Sequence, residues 1–385
     1  MALGAAVPLA GAASTGPQPL TVQAASLTQD GQQVVLKLRM TAPFAPAALK
    51  AAGRSLCLLL ERRSTGSVSG RMCLIGPRPA GRAPRVVFQK VTGAGPGPAA
   101  VIGATVTRGG ARSVAVVFDP ASIGLAYAPL RWQVLNTLRS PPCQPATPST
   151  NGCVRLFPAH PAAVSLHTPQ LVGCVDSGAP FVNSGPTTGR AIALTFDDGP
   201  WVQTAQFLTL LEREHVPATF FEIGRQVATY GEGGAIERRM LADGDMIGDH
   251  TWNHANVSAG GAFAAGEIST TAVAIKQATG GFEPCLFRAP YGATGPNLIS
   301  TATSLGFKTI QWDIDPRDWA TPGVGAIYGN VIANAHPGAI ILQHDGGGNR
   351  SQTLAALPEE IATLRARGYH FETITQLFGM KLLYR

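Results

Sequence analysis

The first half of the chain is built from short apolar runs that alternate with polar residues. "QQVVLKLRM", "SLCLLLERR", "RVVFQKV", "AAVIGATVTRGG" and "RSVAVVFDP" are rich in Val and Leu and are broken by Gly and Pro, the pattern of strands joined by turns. They predict a smaller, mainly β domain over residues 19–140, a sandwich or barrel. Between 141 and 189 the pattern dissolves into Pro, Ser, Thr and Gly ("SPPCQPATPSTNGC", "NSGPTTG"), which reads as a linker. From 190 to 385 the rhythm changes. "AIALTFDD", "ATFFEIG", "DMIGDHT", "CLFRAP", "KTIQWDID", "AIILQHD" and "YHFETI" are short apolar strands separated by longer helical patterns, several of which stop at glycine. Strands alternating with helices predict a parallel sheet. Polar residues at the end of strand after strand favour a closed or nearly closed (β/α) barrel, an α/β fold whose chemistry gathers at the carboxyl ends of its strands.

Residues 1–18 are small and apolar with no basic start. They read equally as the remainder of a secretory signal and as a flexible tail. No run of eighteen apolar residues occurs, so no membrane span is expected. The six cysteines contain no C-x-x-C, which argues against a structural zinc site and for disulfides in an oxidising compartment. Sequence proximity favours Cys57–Cys73 and Cys143–Cys153, leaving Cys174–Cys285, although six cysteines allow fifteen pairings. The net charge of +7 hides a split: residues 1–185 carry +12 and residues 186–385 carry −5. Two domains with different partners are expected.

The barrel strands end in groups that can do chemistry. Asp197 and Asp198 stand side by side, and their repulsion calls for a cation nearby. His250 and His254, spaced i and i+4, would share one face of a helical turn and could meet one metal ion. With a carboxylate from another strand they make a His-His-Asp site with an open position, the catalytic pattern. Arg288 is a fixed positive charge that can hold a carboxylate ionised. His344 ends an apolar strand and can deliver a proton. "WDIDPRDW" offers further acids to orient it. Singly, each has a plain reading: "DDGP" is ordinary turn chemistry, and the histidines could be solvated loop residues. "GGGNR" at 346–350 lacks the Gly-Lys-Ser/Thr of a phosphate loop.

"TFDDGP", "HTWNH", "RAPYG", "DPRDW" and "ILQHD", in that order, resemble the five motifs of the polysaccharide deacetylases, carbohydrate esterase family 4. The resemblance covers about residues 190–380. It implies a distorted (β/α)7-type barrel that removes acetyl groups from N-acetylated sugars of a polymer. It implies Asp197 as general base, Asp198, His250 and His254 as metal ligands, and Arg288 as the brace of the base. Tyr291 would offer its backbone N–H to the oxyanion. Asp318 and Trp319 would tune the catalytic histidine and wall the pocket, Leu342 would line the acetate pocket, and His344 would be the general acid. Asp249, where Asn is expected, and Gln343, where an apolar residue is common, depart from the pattern.

One divalent ion is therefore expected, zinc first, with cobalt or nickel able to substitute. The cation and Arg288 are expected to lower the Asp197 pKa against the effect of burial. A secreted or wall-associated enzyme acting on peptidoglycan is the leading reading, with chitin-like or acetylated xylan polymers as alternatives. A barrel that binds a glycan without turning it over is the competing class. The basic first half is expected to meet anionic wall polymers rather than nucleic acid.

Overall fold

Burial alternates residue by residue along Gln33–Met40, with Val34, Leu36, Leu38 and Met40 inside and Lys37 and Arg39 outside. This is the period of a half-buried strand. The computed structural model describes residues 20–45, 49, 55–62, 68–76, 84–138 and 153–385. The proposed tail at 1–18 and the partner Cys143 lie outside them. The chain divides into two units, Met1–Pro169 and Gln170–Arg385.

In the first unit, Val22–Asp30, Gln33–Met40, Ser113–Phe118 and Ala104–Thr107 form one antiparallel sheet. A second antiparallel sheet runs through Cys153–Ser165, Pro129–Leu138, Ser55–Arg62, Val68–Ile75 and Arg85–Thr92. Leu36, Leu38, Val116 and Phe118 of the first pack with Leu56, Leu58, Leu60, Met72 and Trp132 of the second in one core. Cys57 and Cys73 face each other across the second sheet and are bridged.

The described part of the stretch expected to be a linker, residues 153–189, contains three strands. Cys153–Ser165 is an edge strand paired with Pro129–Leu138, and its register shifts where residues 158–161 bulge out. Its prolines suggested a loop, but proline is admissible at a sheet edge or bulge. Leu171–Val175 pairs with Lys381–Tyr384, and Phe181–Val182 pairs in parallel with Lys308–Ile310.

The second unit carries the barrel. Its strands are numbered β1 (Ala191–Gly199), β2 (Thr219–Glu222), β3 (Met246–Asp249), β4 (Leu286–Phe287), β5 (Lys308–Ile310), β6 (Ile340–His344) and β7 (His370–Phe371). β1 to β5 pair in sequence, all in parallel. β6 pairs with the other side of β1, and β7 pairs with the start of β1. A parallel bridge between Ile314, beyond β5, and Ile341 of β6 draws the remaining edges together. The result is the distorted barrel expected. Its β1, β2 and β3 are buried on both faces, as parallel strands covered by helices must be. The helix Thr204–Glu214 shows why: Phe207, Leu208, Leu210 and Leu211 are buried on one stripe, and the helix stops at His215 in a left-handed conformation. Cys174 and Cys285 are bridged, tying the segment before the barrel to the residue that precedes β4.

Candidate active site

β1 delivers both aspartates, and the backbone separates them. Asp197 is extended with β1 and 2% exposed, whereas Asp198 has φ 72°. That left-handed conformation turns the two carboxylates apart, so that Arg288 meets Asp197 and His254 meets Asp198, while His250 Nε2 lies between them at 3.7 Å from Asp197 Oδ2 and 3.6 Å from Asp198 Oδ1. The glycines of "DGGGN" permit it: a Cβ on Gly346 would collide with the Asp198 carbonyl, and one on Gly347 would press on its carboxylate at 2.5 Å. These glycines serve close backbone approach.

Asp197 Oδ1 accepts a hydrogen bond from Arg288 Nη1 at 2.7 Å. Arg288 is fully buried. It also donates to Thr195 Oγ1 at 2.8 Å and to the Ile310 carbonyl, and it lies 4.0 Å from the Phe221 ring centroid. Thr195 and Phe221 were not singled out in the sequence. Thr195 was detectable only as the residue two before Asp197 on the same face of the strand.

Asp198 Oδ1 lies 3.2 Å from His254 Nε2 and 3.6 Å from His250 Nε2. The i, i+4 spacing was expected to act through a helical turn, and here the structure differs. Residues 250–254 form a loop in which Thr251 (φ 67°) and His254 (φ 57°) are left-handed. That loop brings the two rings to a 4.9 Å centroid separation. His250 Nδ1 donates to the Arg288 carbonyl at 2.8 Å, which leaves Nε2 as the free lone pair. The Tyr291 hydroxyl sits 3.1 Å from both His254 Nδ1 and the His254 carbonyl, holding that ring from behind. Burial pushes His250 down to about 3 against the pull of Asp198, so the ring is neutral. A metal ion fits here. Asp198 Oδ1 is buried without a hydrogen-bond partner, and one ligand atom from each of Asp198, His250 and His254 lies within 4.8 Å of the others.

His344 closes the site from β6. Its Nδ1 hydrogen bonds to Asp318 Oδ1 at 2.8 Å, and its backbone N–H donates to Asp318 Oδ2 at 2.8 Å. Thr353 Oγ1 donates to that same oxygen at 2.8 Å. Burial alone would lower His344; the bond to Asp318 and its charge, with Asp197 and Asp198, raise it. Leu342 is buried two residues earlier on β6, and Trp319 is half exposed beside Asp318. Tyr291 is left-handed at φ 61°. The structure thus brings Asp197, Asp198, His250, His254, Arg288 and Tyr291 into one cluster, and joins His344 to Asp318.

The Asp197 expectation counts a cation together with Arg288; the protein groups alone balance the other way. Burial raises its pKa and outweighs Arg288 and His344, which lower it. A fully buried carboxylate loses more from desolvation than these partners return. Asp249 is also raised well above the usual range by burial, and its Oδ1 accepts from the Thr251 N–H at 2.9 Å. A neutral Asp249 can stand in for the expected Asn.

A family profile described as polysaccharide deacetylase matches residues 184–310. A chitooligosaccharide deacetylase of Bradyrhizobium sp. is 38% identical over 209 residues, covering 51% of this chain and 94% of that protein. The chain belongs to the polysaccharide deacetylase family. A peptidoglycan-N-acetylglucosamine deacetylase of Bacillus cereus shares 38% identity over 201 residues with this deacetylase-family chain, 51% of it and 92% of the relative. The crystal structure of the Bc1960 peptidoglycan N-acetylglucosamine deacetylase superposes with a TM-score of 0.50 at 31% identity, covering 53% of this chain and 95% of that one. These matches fall on the deacetylase barrel.

Proposed function

We propose that this chain hydrolyses acetyl groups from N-acetylated sugars of a polysaccharide, cell-wall peptidoglycan first. The observation that supports this reading is the division of labour within Asp197–Asp198. One carboxylate is braced by a buried arginine and the other faces two histidine nitrogens. Asp198, His250 and His254 hold one divalent ion, zinc or alternatively cobalt or nickel. Such an ion supplies Lewis-acid polarisation of the amide and activation of water. Asp197 takes the proton of the attacking water, and Arg288 keeps the carboxylate oriented. The Tyr291 backbone N–H steadies the oxyanion. His344, kept protonated by Asp318, gives its proton to the departing amine, a poor leaving group without it. Trp319 and Leu342 shape the pocket.

The relatives' names include both chitooligosaccharide and peptidoglycan deacetylases, so the polymer needs a direct test. Acetate release is measured from peptidoglycan, chitin oligomers and acetylated xylan, with and without a chelator. Chelator-sensitive release, greatest from peptidoglycan, is the expected result. No release from any of them would leave only a glycan-binding barrel.

The chain acts at the wall, secreted or wall-associated, and its first unit docks on anionic polymers there. Lys37 and Arg39 project from one exposed sheet face beside Ser26, Ala115 and Ser113, and neither forms an ion pair among the described residues. Phosphate-bearing wall material should bind the full chain at low salt, and a Lys37→Glu/Arg39→Glu variant should bind it weakly. Equal binding by both would remove the docking role.

A further inference from the structure

Among the described residues, the deacetylase machinery leaves a cation beside the site unused. Arg317 lies in the turn that follows β5, immediately before Asp318, and has the left-handed backbone φ 56°. A left-handed conformation is unfavourable for a non-glycine residue, and such outliers gather where function constrains the chain. The Asp315 carboxylate is spent on this backbone, accepting the Arg317 N–H at 2.7 Å. The Arg317 guanidinium itself makes no hydrogen bond or ion pair among the described residues, and the residue is exposed. It stands 5.1 Å from the centroid of the Trp319 ring, and Trp319 is 47% exposed. Asp318, between the two, is clamped on both the ring and the backbone of His344. The free guanidinium, the open indole and the acid–histidine pair therefore belong to one turn at the carboxyl end of the barrel.

A stacked guanidinium keeps its N–H edges outward, in a fork that matches a carboxylate. An indole face suits the apolar face of a sugar ring. Together they describe a ligand with a sugar ring over Trp319 and a negative group at its edge. A neutral oligosaccharide would meet the indole and leave the fork with water alone.

We infer that Arg317 is a specificity-determining residue that favours glycans carrying a carboxylate on the sugar beside the acetylated one over neutral glycans. This inference rests on the deacetylase reading above and names its substrate class more closely. The contact is solvent-exposed, so its size is modest: exposed ion pairs are worth up to about 1 kcal/mol. Bidentate geometry adds to this, and a preference of roughly three- to tenfold is expected. It should weaken with salt, because the Debye length shrinks from about 10 Å at 0.1 M to about 3 Å at 1 M.

The test uses the full metal-loaded chain and two tetrasaccharides of N-acetylglucosamine backbone. One is neutral, and in the other alternate sugars carry a lactyl ether carboxylate. The readout is the ratio of kcat/KM values, carboxylated over neutral, in wild type, Arg317→Gln and Arg317→Lys, at low and high salt. The expected wild-type ratio is several-fold above that of Arg317→Gln, falls with salt, and is partly restored in Arg317→Lys. Acetate release from both substrates with the same ratio in wild type and Arg317→Gln would overturn the selectivity alone. A ratio indifferent to salt would do the same. Release from neither substrate would overturn the deacetylase reading and this inference with it.

Discussion

Arg288 and Asp197 meet through a single 2.7 Å contact in which the guanidinium is fully buried and the carboxylate nearly so. Removing one member of a buried pair strands the other's charge, which costs about 3–5 kcal/mol. Arg288→Met should therefore lower the unfolding free energy by that order and abolish acetate release. Arg288→Lys should not restore activity, because an ammonium cannot reproduce the bonds to Asp197, Thr195 and the Ile310 carbonyl together. Urea unfolding and acetate release measured on both variants check this.

The two aspartates should separate in a metal-binding assay. Asp197→Asn keeps the shape and loses the base, so kcat should fall roughly 10²–10⁴-fold while one divalent ion still binds. Asp198→Asn should lose the ion. The reverse pattern in metal titrations would exchange the two roles.

Asp318→Asn addresses the acid. Asp318 raises His344 above its ordinary value against burial. A histidine that must be protonated works below its pKa and fails as pH rises through it. Removing Asp318 should move the alkaline limb of the kcat/KM profile to lower pH. The acid limb belongs to Asp197, which burial raises; it should stay in place, and a shift of that limb alone would contradict the assignment.

Glu360 predicts a stability trend. Burial raises it to about 8, with Gln343 hydrogen bonding to both its oxygens and pulling the other way. Below the unfolded value of about 4.3 it is protonated in both states. Between there and about 8 only the folded state keeps the proton, so this group's contribution to stability falls as pH rises through that window. Glu360→Gln keeps a partner for Gln343 and should flatten the slope, gaining on the order of 5 kcal/mol over wild type at pH 9. Unfolding midpoints at pH 5, 7 and 9 measure it.

The clustering at the barrel mouth was legible because ionisable residues interrupted apolar strands at corresponding points: Asp197 on β1, His250 after β3, Arg288 after β4, His344 on β6. What supports them was not. Thr353 reaches Asp318 from a distant helix, and no local pattern marks a threonine as a carboxylate's partner. Glu222 and Glu237 are buried without hydrogen-bond partners among the described residues, and nothing in the sequence marks either. The burial of Asp197 was not legible either, because charges can be counted in a sequence but depth of burial cannot. The strand Cys153–Ser165 was hidden by prolines that only an edge position excuses.

The pairing of Leu171–Val175 with Lys381–Tyr384 places the two ends of the barrel unit side by side in one antiparallel ladder. A unit whose ends adjoin can be excised, transplanted into a loop of another protein, or reopened at a new point and rejoined, with little change in its interior. This makes the barrel a transferable cassette. The ladder also works as a latch: deleting Lys381–Arg385 would strip one edge of the strand that carries Cys174 and leave it held by the bridge to Cys285 and by the Glu283 N–H donated to the Val172 carbonyl at 2.9 Å.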